Sequence, residues 1–148
     1  MAKTNVLVIG LLSKFQPVTI DDLNNGQGTF LYNHNAREVL IIENEDGSIT
    51  VTDDESQATG TGYQYDSCRV EYPRTADNMY RTLLNAKYDS DHQEKLINEY
   101  NSAKLGLMDE SKVAAYTDFL RDRIAIRAMV DQDADANNIP KEEVWKMS

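Results

Sequence analysis

Asp131, Asp133 and Asp135 alternate along the chain, and Glu142 occupies the twelfth position counted from Asp131. Alternating carboxylates closed by a distal glutamate are the ligand spacing of a calcium loop, because that hard cation collects several oxygen ligands at once. The run departs from such a loop where Ala136 replaces the glycine of the sharp turn and where Pro140 intrudes. A solvated acidic linker is the preferred reading of these four residues, with calcium-dependent association as the sharper alternative. Val6-Leu7-Val8-Ile9-Gly10 has the apolar strand and first glycine of a dinucleotide-binding fold. Leu12 and Phe15 stand where that fingerprint needs two further glycines.

Catalytic pairings are equally sparse. His34 lies between Asn33 and Asn35 in a predicted loop, with no serine or cysteine placed by sequence to act as its nucleophile. His92 falls at a predicted helix N-terminus, where the helix dipole disfavours imidazolium. Asp21-Asp22 and Asp53-Asp54 are adjacent pairs, so on a strand their carboxylates diverge. Acid–base catalysis needs carboxylates that converge in an apolar pocket. The expectation is a protein without a catalytic site and without a cofactor.

The elements that must carry any function follow from length and charge. A chain of 148 residues fits one domain, or one domain with a docked subdomain. Its 41% hydrophobic and 27% charged residues are those of a globular protein. Net charge is −10, and residues 1–72 hold four Lys/Arg against eleven Asp/Glu. A field of that sign repels phosphate backbones, so direct nucleic-acid binding is not expected. The longest apolar run, Val6 to Leu12, is too short to span a bilayer and is not followed by a signal-peptidase site. No membrane association is expected. The single cysteine, Cys68, excludes an internal disulfide and reads as a buried thiol in a strand.

Texture changes near Pro73. Before it, short β-rich runs are cut by Gly, Asn and Asp. Val6–Leu12 and Thr29–Tyr32 read as strands; Pro17 and the segment Thr19–Gly28 interrupt them, with Asn24–Gly28 as a loop. Arg37–Ile42 and Ser48–Thr52 flank Asn44-Glu45-Asp46-Gly47, a hairpin signal in which Asp-Gly supplies the turn. Tyr63–Tyr72 alternates, with Cys68, Val70 and Tyr72 on one face and Tyr63 and Tyr65 on the other. After Pro73 the period becomes helical. Thr75 is a predicted N-cap for the first helix, and Ser90-Asp91-His92-Gln93 a predicted capping box for the second, with Gly106 as its stop. The third helix is predicted from near Asp109 to about Val130. Val113, Tyr116, Leu120 and Ile124 form its stripe, and Phe119, Ile126 and Val130 widen it.

This pattern predicts an α+β fold: an N-terminal antiparallel β-sheet, then a three-helix C-terminal region and a short acidic tail. The expected divisions are a β-rich subdomain (1–73), a helical subdomain (74–131) and a linker with a docking tail (132–148). Tyrosine and tryptophan are enriched in interfaces, so Tyr63, Tyr65, Tyr116, Phe119 and Trp145 are the candidate interface residues. Removal of residues 135–148 is expected to abolish assembly without altering thermal unfolding.

Across Tyr65–Arg127 the chain shows a strand ending in Arg69-Val70-Glu71-Tyr72-Pro73. A helix containing Leu83-Leu84-Asn85-Ala86-Lys87-Tyr88 follows, and Ser90-Asp91-His92-Gln93 opens the next. This arrangement resembles small accessory virion proteins of tailed bacteriophages and prophages. In those, a β-rich piece joined to a few helices decorates or joins rings of the tail, neck or head. The resemblance implies a non-enzymatic structural protein whose partners are other virion or assembly proteins. It also implies a homo- or hetero-oligomer, located in the virion and, during assembly, in the host cytoplasm. The alternative expectation is an acidic, phage-encoded regulator that occupies a basic host surface.

Overall fold

The computed structural model describes residues 6–142. Strands β1 (Leu7–Ser13), β2 (Ile20–Asp22), β3 (Phe30–Glu43), β4 (Ile49–Val51) and β5 (Gly60–Val70) form one antiparallel sheet. Helices α1 (Ala76–Lys87), α2 (Ser90–Lys104) and α3 (Ser111–Ala136) follow, giving the α+β class. The chain divides into two compact units, Met1–Tyr72 and Pro73–Ser148.

In the first unit the strand order is β1-β5-β3-β2, with β4 also paired to β3. Residues directly opposite in an antiparallel pair share a face. Phe30 faces Val70, while Tyr32 and Leu7 both face Cys68 from opposite sides. All five side chains are buried, so this face carries the core of the sheet. The Asp46-Gly47 turn forms as expected. Asn44 and Ser48 close it through a 2.8 Å backbone bond, and Gly47 takes a φ of +87°.

Three expectations for this unit need correction. Thr29–Tyr32 is not a separate short strand; Phe30–Glu43 runs as one, and His34, predicted in a loop, is buried within it. The continuity is hidden in sequence because a bulge after His34 inserts an extra residue and shifts the alternation. Ile20–Asp22, within the segment expected to interrupt the strands, forms a strand paired with Phe30–Tyr32. Tyr72, predicted on one strand face with the buried Cys68 and Val70, is 68% exposed and lies over Gly28.

In the second unit α3 packs against both α1 and α2. The buried residues of α3 are Phe119, Ile126, Val130 and Ala134, spaced at helical intervals. The stripe is therefore rotated from the predicted one, and Ile124 is 69% exposed. Phe119 meets Tyr88 edge-on with ring centroids 4.9 Å apart, and the Tyr116 ring lies tilted against Tyr100 of α2 at 4.7 Å.

The cap of α2 is Asp89 rather than Ser90: its carboxylate accepts the His92 N–H at 2.8 Å. Gln93 reaches the Tyr88 carbonyl instead of closing a capping box. At its other end, α3 runs to Ala136, six residues past the predicted stop. Asn138 then terminates it with a φ of +57°. The Asn138 N–H donates to the Asp135 carbonyl and the Ile139 N–H to the Ala134 carbonyl, the two bonds of a Schellman motif. The predicted acidic linker thus begins as helix.

The first turn of α1 has a complete set of acceptors for the four donors that open any helix. The Ala76 N–H donates to the Pro140 carbonyl at 2.8 Å, and the Asp77 N–H to the Lys141 carbonyl at 2.9 Å. Thr75 supplies the rest: its hydroxyl accepts the Asn78 N–H, and its own N–H donates to the Pro73 carbonyl at 3.1 Å. Residues 140–141, expected to belong to a docking tail, cap a helix.

Candidate functional site

A grouping of polar side chains contributed by three strands surrounds Asp66 on β5. Two strands bulge against it. On β1, Ile9 and Gly10 together oppose Asp66; on β3, Asn35 and Ala36 together oppose Tyr65. Gly10 and Asn35 each adopt a left-handed φ, +79° and +55°, which glycine and asparagine accept at least cost. Both bulges turn a donor towards the same carboxylate. The Gly10 N–H reaches Oδ1 at 3.1 Å, and the Asn35 amide reaches Oδ2 at 3.1 Å.

His34 lies opposite Asp66 in the register and stacks on Tyr32 with centroids 4.8 Å apart. Its Nδ1 is 3.0 Å from the Tyr32 carbonyl, so that nitrogen carries the proton in the neutral ring. Arg37 closes the rim by donating to the Asn35 carbonyl and to Gln64 Oε1. Ser67 is also buried, and a Ser/His/Asp trio within one sheet invites a nucleophilic reading. Strand alternation defeats it. Ser67 follows Asp66 directly, so its hydroxyl points to the opposite face from His34 and Asp66. What the cluster does chemically is to bind backbone: it locks two bulges to one strand.

The other ionisable contacts are likewise internal. Thr29, fully buried, donates its hydroxyl to Glu71 at 2.6 Å. That bond, with Arg69 second, holds the Glu71 carboxyl below the usual range. Burial pushes Tyr88 up to about 12, helped by its 2.7 Å hydrogen bond to Asp122. Cys68, fully buried, is pushed up to about 11, which keeps it a thiol rather than a nucleophilic thiolate. Burial opposes the charge of Arg127, but hydrogen bonds to Asp77 and Asp131 overcome it and raise its pKa.

The predicted site residues are scattered. Asp131, Asp133 and Asp135 lie on α3, where residues two apart do not face each other. Asp131 is engaged by Arg127. No group of three or more His, Cys, Asp or Glu that could hold a metal ion occurs among the described residues. Gly10, read as the start of a nucleotide fingerprint, is a bulge residue on an antiparallel strand. Tyr63, Tyr65 and Tyr116 are half-buried, and Phe119 is core at 3% exposure rather than surface. Trp145 lies outside the described residues. Sequence reasoning missed the exposed apolar residues on connections: Phe15 and Val18 between β1 and β2, and Leu105, Leu107 and Met108 between α2 and α3.

No protein-family model, curated protein or solved structure significantly matches the chain. No helix among the described residues is long and apolar enough to cross a membrane.

Proposed function

We propose that this chain is a non-enzymatic assembly protein of a tailed-phage or prophage particle, working through protein–protein contacts. One observation carries the reading: the three most exposed large apolar side chains among the described residues stand on connections between elements. Phe15, Leu105 and Leu107 are each more than three-quarters exposed. Large apolar groups held in water are stabilised by burial against a partner. The grouped titratable residues, by contrast, are consumed in holding bulges and helices together. The resemblance of Tyr65–Arg127 to accessory virion proteins supplies the biological setting.

The test is composition of purified particles. Particles released by a host carrying this gene are separated on a density gradient and quantified by mass spectrometry. The chain should co-sediment in a fixed ratio to the major structural protein. Its exclusion from particles, with quantitative recovery in the soluble fraction, overturns the reading.

A further inference from the structure

We propose that the elbow between α2 and α3 is a self-complementary contact through which two copies of this chain pair about a two-fold axis. The elbow is a knob beside a notch. Gly106, with a φ of +80°, ends α2 in a Schellman motif, the Gly106 N–H donating to Ala103 and the Leu107 N–H to Ser102 at 2.9 Å. In that motif the residue in the place of Leu107 ordinarily packs back on the helix, against the residue in the place of Ser102. Here that position is the polar Ser102, and Leu107 is 77% exposed. At the end of α3 the corresponding residue, Ile139, follows the rule and is half-buried. Leu107 is therefore presented outward on a hydrogen-bonded backbone, with Leu105 and Met108 beside it.

The notch lies between the converging helix ends. It has a volume of about 500 Å³ and is lined by Ala103, Lys104, Glu110, Val113 and Ala114. Three of its lining side chains, Ala103, Val113 and Ala114, are small, which leaves room for a leucine from outside. Its lining includes one cation and one anion, Lys104, whose ammonium lies 5.8 Å from the centroid of the Tyr100 ring, and Glu110, and neither makes an ion pair among the described residues. That pattern selects a second copy. An isologous interface sets each patch against itself reversed, so Lys104 of one protomer meets Glu110 of the other while each Leu107 enters the opposite notch. A membrane surface would satisfy the leucines but leave Glu110 against lipid headgroups. Two elbows make a contact below the standard interface size of roughly 1,600 Å², so pairing depends on concentration.

This inference rests on the contact-based reading above and names its partner, and the two fail separately. Sedimentation equilibrium of the full chain, diluted from millimolar concentration, reads the dimer directly. Wild type should dimerise, and Leu107→Glu should weaken the dimer at least about tenfold. Leu107 is exposed, and an unchanged circular dichroism spectrum checks that the variant folds. Lys104→Glu and Glu110→Lys should each weaken pairing, and the double variant should restore it to within about twofold. A chain that stays monomeric throughout, a Leu107→Glu dimer as tight as wild type, or a double variant without rescue overturns the proposal. Any of these alongside normal incorporation into particles leaves the assembly reading intact. A dimer of a chain that particles exclude sinks only that reading.

Discussion

The carboxylate of Asp66 accepts the backbone N–H of Gly10 at 3.1 Å, joining residues 56 positions apart. The same carboxylate takes the Asn35 amide from the other side, so one side chain fastens both neighbouring strands. Asp66→Ala removes the acceptor of two part-buried hydrogen bonds; the exposed Asn35 amide can turn to water, so the cost falls mainly on the half-buried Gly10 N–H, at about 1–3 kcal/mol for an unsatisfied group. A loss of about 2 kcal/mol is expected. Asp66→Asn keeps an acceptor oxygen for one donor and should lose about half as much. Urea denaturation checks both: the midpoint should fall at constant slope. Equal midpoints for wild type and Asp66→Ala would show that the bulges hold without the carboxylate.

Gly10 and Gly62 are expected to differ for reasons that composition does not reveal. At Gly10 an added Cβ meets only Gln64 Nε2, at 3.5 Å, but the φ of +79° is unfavourable for other L-residues. Gly10→Ala should cost about 1–2 kcal/mol from backbone strain. Gly62 has no such φ, yet its Cβ would lie 2.7 Å from the Ser13 carbonyl oxygen and 3.2 Å from two carbons of Ile41. A backbone oxygen cannot rotate away, so Gly62→Ala should cost about 2–3 kcal/mol by overpacking. Thermal unfolding of the pair tests the ranking, and a milder Gly62→Ala would contradict the geometry.

Tyr88 predicts a response to alkaline conditions. Its phenol is raised from 10.0 to about 12 in the folded chain, first by burial and then by the bond to Asp122. A group that holds its proton longer when folded stabilises the fold below its unfolded pKa. That contribution drains away as pH rises through the folded value. Stability should therefore fall between pH 10 and about 12 through this residue, and Tyr88→Phe should flatten the decline. Urea midpoints measured across that range test it. Parallel wild-type and Tyr88→Phe curves would remove Tyr88 as the cause.

The sheet-then-helix order was legible because alternation and helical spacing are local properties of the chain. The Asp46-Gly47 hairpin, the Thr75 cap and the Gly106 stop were legible for the same reason: each is decided within a few residues. His34 was misplaced because bulge position depends on pairing with β5, which sequence does not display. The stripe of α3 was rotated because an apolar arc containing Phe119, Leu120, Ile124 and Ile126 allows several orientations, and packing against α1 and α2 selects one. Asp131, Asp133 and Asp135 resembled metal ligands in spacing, yet a helical backbone turns that spacing away from one centre. The polar cluster around Asp66 was invisible because its members come from three strands far apart in sequence.

Residues 140–141 give the last prediction, and it reverses an expectation drawn from composition. Their carbonyls accept the Ala76 and Asp77 N–H groups, and Ile139 closes the Schellman motif of α3. A chain ended after Asn138 loses these three backbone bonds, whereas one ended after Glu142 keeps them. At about 1 kcal/mol per bond, the shorter chain should be less stable by roughly 3 kcal/mol. Amide hydrogen exchange locates the effect: Ala76 and Asp77 should lose protection, while Asn78 and Met79, held by Thr75, should keep most of theirs. Uniform loss across α1 would mean that residues 139–142 support the whole helix rather than its first two donors. Unchanged protection at Ala76 and Asp77 would mean that water serves those donors as well as the two carbonyls do.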